Sequence, residues 1–147
     1  MDDKNYSLYG LPVAIVLAYV PHVVKGAIIT KSLGKYNNVN PRSQLEKVQS
    51  RMTKASYEMA KRADAAHHNG LEIFPIFAGA VLAGNFAGLP NSTLNKYSAV
   101  FLTARFFYNF VYIKNSNSIV AGLRSLIWMV SIVSCFGLYL EAAKGKL

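Results

Sequence analysis

Cysteine and acidic residues are the scarce groups in this chain of 147 residues. The one cysteine, Cys135, excludes an intramolecular disulfide framework and any multi-cysteine zinc site. Only 16% of the residues are charged, against roughly 25% in an ordinary soluble domain. With 52% hydrophobic and 12% aromatic residues, the chain has too much apolar content for intrinsic disorder. The first apolar run also lacks a basic lead-in. Asp2, Asp3 and a lone Lys4 precede it, and no small-residue cleavage pattern closes it, which excludes a cleavable signal peptide. The ending Gly145-Lys146-Leu147 is not a peroxisomal Ser-Lys-Leu signal.

What is present is length without charge. A helix needs about 20 mostly apolar residues to cross the hydrocarbon core. Four stretches qualify as candidates: Leu11 to Thr30, Leu71 to Pro90, Tyr97 to Ile113 and Ile119 to Leu140. Their definite charges are Lys25, Glu72, Arg105 and Arg124, one in each. A soluble bundle would carry a polar stripe along every helix. Here the runs after Phe74 and after Leu126 are apolar all round, apart from two serines. Gly, Ala and Ser recur within the spans, as close approach of membrane helices requires. The expected fold is an all-α integral membrane protein, with residues 1–147 as one domain of four transmembrane helices.

The net charge is +9, and it is unevenly placed. Lys31, Lys35, Arg42, Lys47, Arg51, Lys54, Lys61 and Arg62 crowd one loop, against Glu46 and Glu58. The positive-inside rule puts that loop in the cytoplasm, and both termini and the second loop on the other side. The sequons at Asn5 and Asn91 fall on the non-cytoplasmic side of this topology. Half of the basic charge is juxtamembrane, as topology and anionic lipid demand, so a nucleic-acid partner is rejected. Residues 43–69 read as a helix that runs on into the second span. Together, residues 31–69 form the basic loop and helix extension. Asn37 to Pro41 break the preceding helix.

A charge inside a bilayer is costly and normally faces the bundle interior. Helical spacing aligns the polar groups. Asn69 and Glu72 share a face, and His68 lies beside them. Arg105, Tyr108 and Tyr112 form one stripe, with Asn109 beside it. Arg124 and Trp128 are four apart, with Ser125 adjacent. Most of these groups fall near the cytoplasmic ends of spans two, three and four. Together they suit a small ligand that carries both carboxylate and amine groups. Alternatives stay open. Glu72 and Arg105 are either ligand contacts or a structural buried pair. Tyr108 and Tyr112 are either pocket or interfacial belt residues. Lys25 reads as structural, His22 as a neighbour of the Pro21 kink, and Cys135 as packing. His67 and His68 point to different faces, so no metal site is expected.

These residues resemble the MAPEG family, membrane-associated proteins in eicosanoid and glutathione metabolism. Asn69-Gly-Leu-Glu72, followed by Pro75 and Phe77, is similar to the family's second-helix signature, and Asn40-Pro41-Arg42 to the Asn-Pro before it. Arg105-x-x-Tyr108-x-x-x-Tyr112 resembles the third-helix signature, and Arg124-Ser125-x-x-Trp128 the fourth. The resemblance covers almost the whole chain. It implies a homotrimer in an internal membrane, by default the endoplasmic reticulum. It also implies glutathione as co-substrate between subunits, near the cytoplasmic face. Asn69, Glu72, Tyr108, Tyr112, Arg124 and Ser125 would then contact glutathione, with Arg105 and His68 as further contributors. Glu72 would receive its amine, Tyr108 and Tyr112 its peptide or carboxylate groups. Arg124 would stabilise the thiolate.

Two departures from the family pattern stand out. Ala65 replaces an arginine four residues before Asn69, a place Arg62 could serve from one turn earlier. Lys114 to Ser118 lengthen the loop before Arg124. The resemblance implies a transferase or peroxidase acting on lipophilic electrophiles or lipid hydroperoxides that enter from the bilayer. The alternative is a non-catalytic lipid-binding or scaffold member. Arg124 and Ser125 favour the first, Ala65 the second. A transporter finds no support, because there is no internal repeat and no matching pair of broken helices.

Overall fold

Helix breakers and caps cut the chain into its elements. The computed structural model describes residues 4–115 and 117–145. Five α-helices follow in order: α1 (Gly10–Leu33), α2 (Gln44–Lys47), α3 (Lys54–Phe86), α4 (Asn91–Lys114) and α5 (Ser118–Lys144). No strand occurs among the described residues. Gly34 stops α1 by adopting a left-handed φ of 76°, where a side chain would be strained. Pro90 precedes α4, and the Asn117 side chain accepts the Val120 N–H at 2.9 Å to cap α5. Ser116, in the lengthened loop, lies outside the described residues.

The basic segment departs from the expected continuous helix. It starts as the four-residue α2 and a 3₁₀ turn, Gln49–Arg51, and α3 begins only at Lys54. Thr53 is extended, and its Oγ1 accepts the Ser56 N–H at 3.2 Å, a helix start in the middle of the expected helix. Tertiary packing favours the break. It folds the segment back so that Leu45 buries against Ile29 and Ala60.

The four long helices pack around one core. Ala14 of α1, Phe77 of α3, Phe101 of α4 and Leu138 of α5 all belong to it. Phe77 and Phe101 stack with ring centroids 3.9 Å apart. Cys135 sits in this core, 2% exposed. Helices α1 and α3 touch at Gly70: a Cβ there would lie 2.9 Å from the Ala18 Cα. Proline inside α1 sets up a second link. Pro21 has no N–H, so the Leu17 carbonyl loses its helical donor. The Asn109 side chain of α4 donates to that carbonyl at 2.7 Å. His67 Nδ1 of α3 donates to the neighbouring Ala18 carbonyl at 2.8 Å.

Much of the outer surface is apolar. Val16 and Val23 on α1, Phe106 and Phe110 on α4, and Leu126 and Phe136 on α5 are all exposed. Ser7–Leu33 and Ser118–Lys144 are long and apolar enough to cross a membrane. Of the other two expected spans, 97–113 falls within α4, whereas 71–90 overruns α3, which ends at Phe86 before a turn; these helices carry Glu72, Lys96 and Arg105. At the end opposite the basic loop, the N-terminal segment is tied down. Asn5 donates to Asn85 and accepts from the Ser7 hydroxyl, while Asn95 accepts the Tyr6 N–H at 2.7 Å. The side chain of the first sequon is thus engaged inside the protein.

Candidate functional site

Three helices supply one polar cleft. The i, i+4 spacing on α4 stacks Tyr108 and Tyr112 on one face. The same spacing on α5 aligns Arg124 with Trp128, and Asn69 comes from α3, next to the Gly70 contact. These residues and Ser125 line a cleft of about 230 Å³. Tyr108 and Tyr112 meet edge to face, centroids 5.4 Å apart. The Arg124 guanidinium lies over the Tyr112 ring, 4.5 Å from its centre. Arg124 thus has an aromatic partner and, among the described residues, no carboxylate. The Asn69 Oδ1 is buried and has no hydrogen-bond partner among the described residues. Ser125 is exposed, and its Oγ donates to the Ala121 carbonyl at 3.2 Å. The cleft therefore offers one cation, an unoccupied amide acceptor, two phenols and an indole.

Five of the residues picked out by sequence meet here: Asn69, Tyr108, Tyr112, Arg124 and Ser125. Three do not line the cleft. Glu72 is exposed on α3. His68 is exposed too, its Nδ1 donating to the Asp64 carbonyl at 2.9 Å. Arg105 lies behind Tyr108, its guanidinium 4.1 Å from that ring's centre. It is 3% exposed, and neither Nη atom has a hydrogen-bond partner among the described residues. With Asn109 it lines a cavity of about 10 Å³ on the α1 and α3 side. Glu72 and Arg105 form no ion pair. Lys25, the charge of the first span, pairs with Asp64 at 2.6 Å, which gives it a structural role.

Trp128 belongs to the cleft as well, and its offset of four from Arg124 is the signal that finds it. Asp64 could not be paired with Lys25 from sequence, because 39 residues separate them. Arg62 donates through Nε to the Ile113 carbonyl at 3.0 Å, next to Tyr112. It is fastened to the last turn of α4, beside the tyrosine edge of the cleft. A second groove, of about 570 Å³, runs between α4 and α5 and is almost wholly apolar. Phe107, Val111, Leu123 and Ile127 are among its walls.

A family model described as the MAPEG family matches residues 6–144. No curated protein and no solved structure matches the chain.

Proposed function

We propose, given that the chain belongs to the MAPEG family, that it binds glutathione in the Tyr108–Arg124 cleft and joins the thiol to lipophilic electrophiles. Family membership and two apolar helices make it a membrane protein, in a family of glutathione transferases, peroxidases and eicosanoid-synthesis proteins. The reading is carried by one observation: five residues read as ligand contacts, drawn from three helices, line a single cleft.

In this reading the chemistry rests on charge. Arg124 sits beside the thiol and favours its ionised form, because a positive neighbour lowers a thiol's pKa. The thiol proton leaves to water. The thiolate sulfur forms a bond to the electrophilic carbon, and the leaving group departs with its electron pair. Tyr108 and Tyr112 hold the peptide and carboxylate groups of glutathione through their hydroxyls. Asn69 Oδ1, without an internal partner, accepts an N–H from the ligand. The apolar groove between α4 and α5 takes the lipophilic partner. Glu72 faces outward, where it can meet the ligand amine at the boundary with a neighbouring subunit. We place four spans in the membrane, at 11–30, 71–90, 97–113 and 119–140, within one domain. The protein is a homotrimer of the endoplasmic reticulum, with the cleft facing the cytoplasm.

A second reading is a lipid-binding relative without catalysis. Ala65 removes one carboxylate clamp, and Arg62, the candidate replacement, already donates to Ile113. The two readings separate in one experiment. The purified protein is melted with increasing glutathione, or with ophthalmic acid, which carries a methyl in place of the thiol. A ligand of the folded state stabilises by about 2.7 kcal/mol at one hundred times its Kd. We expect a saturable rise in Tm that is lost in Arg124→Ala and Glu72→Ala. Turnover of a lipophilic electrophile should fall far more than protein yield in Arg124→Ala. No rise at millimolar glutathione would favour the second reading.

A further inference from the structure

The basic segment builds a second site, far along α1 from the core. Where it folds back, a groove of about 480 Å³ opens between the end of α1 and the start of α3. Its floor is apolar: Ile28, Met52 and Met59. Lys31 and Arg51 stand among its walls. Arg51 also lines an adjoining cleft of about 270 Å³, together with Lys35, Lys47 and Gln44. The two spaces therefore share Arg51 as a wall. Among the described residues, no Asp or Glu lines either of them. Gln44 is 5% exposed, and its Oε1 has no hydrogen-bond partner among the described residues.

We infer that these joined spaces hold one anionic glycerophospholipid of the surrounding leaflet, with a hydroxyl-bearing headgroup such as inositol or glycerol. Charge complementarity and the apolar floor commit the site to lipid. Four cations, with no acidic residue among the lining, attract a phosphate diester, and Arg51 grips it as a fork. The apolar floor adjoins the exposed apolar face of α1, so an acyl chain reaches it from the bilayer. Gln44 narrows the headgroup. A buried amide oxygen needs a donor. A choline offers none, and the ammonium of ethanolamine or serine is repelled by Lys35 and Lys47. A neutral hydroxyl meets both demands.

The test uses the full chain in a neutral detergent. Its melting is followed while phosphatidylinositol, phosphatidylserine or phosphatidylcholine is added as mixed micelles, and soluble glycerol phosphate in a separate series. The expected result is a saturable rise in Tm with phosphatidylinositol, less with phosphatidylserine and none with phosphatidylcholine or glycerol phosphate. Arg51→Glu should abolish the rise, and Arg51→Gln should weaken it if the charge reversal does not fold. Lys96→Glu, at the start of α4 and outside both spaces, should keep it. Gln44→Leu should erase the preference for phosphatidylinositol over phosphatidylserine. An equal response to phosphatidylcholine, no response to any lipid, or an undiminished response in the Arg51 variants would overturn the proposal. A full response to glycerol phosphate would make this a free-phosphate site and overturn the lipid as occupant.

Discussion

The link between Pro21 and Asn109 makes a sharp prediction, because backbone chemistry creates it. Pro21 leaves the Leu17 carbonyl without a helical donor, and Asn109 supplies one from α4 at 2.7 Å. Replacing Asn109 by Leu takes that donor away and leaves the carbonyl part-buried beside a small cavity that Arg105 also lines. The single-variant effect is blurred, since the Asn109 Oδ1 is itself unpartnered, and its removal gives something back. A double-mutant cycle cancels that term. In Pro21→Ala, residue 21 regains an N–H that can bond Leu17 within α1, so Asn109→Leu should do less harm there. A bond between membrane helices is worth about 0.6 to 1.7 kcal/mol, and an orphaned buried acceptor costs about 1–3 kcal/mol. The coupling should therefore be about 1–2 kcal/mol. Unfolding by added SDS, read from the fluorescence of the single tryptophan, Trp128, gives the four free energies. A coupling within about 0.3 kcal/mol of zero means additivity. That result would refute the claim that Asn109 compensates for the proline.

Other consequences follow from the same contacts. Gly70→Ala forces a methyl to within 2.9 Å of the Ala18 Cα, and overpacking of this kind destabilises by about 1–3 kcal/mol; its Tm should fall, and Ala18→Gly should restore part of the loss. Lys25→Met strands the Asp64 carboxylate, so it should destabilise more than Lys25→Met combined with Asp64→Leu. Asp64 is about a third exposed, so the single variant should lose less than the 3–5 kcal/mol typical of a fully buried pair. Tyr112→Leu removes the ring beneath Arg124, and a cation–π contact contributes about 0.5–2 kcal/mol. Tm should fall by a few degrees and glutathione-dependent turnover by far more than that loss accounts for, whereas Tyr112→Phe should keep the Arg124 contact and lose only what the hydroxyl binds.

The cleft was legible where it depended on spacing within one helix. Offsets of three and four fix which residues share a face whatever surrounds them, so Tyr108 with Tyr112 and Arg124 with Trp128 could be paired from sequence. The fold class followed from long runs with little charge. Relations between helices were less legible, because rotation and depth are set by packing and not by local pattern. Lys25 finds Asp64 only because α1 and α3 close up at Gly70. The break at Thr53 was hidden because Leu45 and Val48 before it and Ala55 and Met59 after it keep apolar groups among the charges across a turn that tertiary burial chooses. Arg105 is the instructive case. Its direction matches that of Tyr112, yet it lies seven residues earlier, roughly 10 Å along the helix axis. That depth carries it past the cleft, under Tyr108 and into a space shared with Asn109. An unpaired guanidinium there holds the inner tyrosine from behind while Arg124 holds the outer one from the front. The two arginines that the sequence offered as ligand contacts are thereby separated. Arg124 lines the cleft and can touch a ligand, and Arg105 can act on that ligand only through the placement of Tyr108. Arg105→Lys should therefore weaken glutathione binding without moving the pH dependence of turnover, whereas Arg124→Lys should move it. A shifted pH profile in the Arg105 variant would put both arginines at the reacting sulfur.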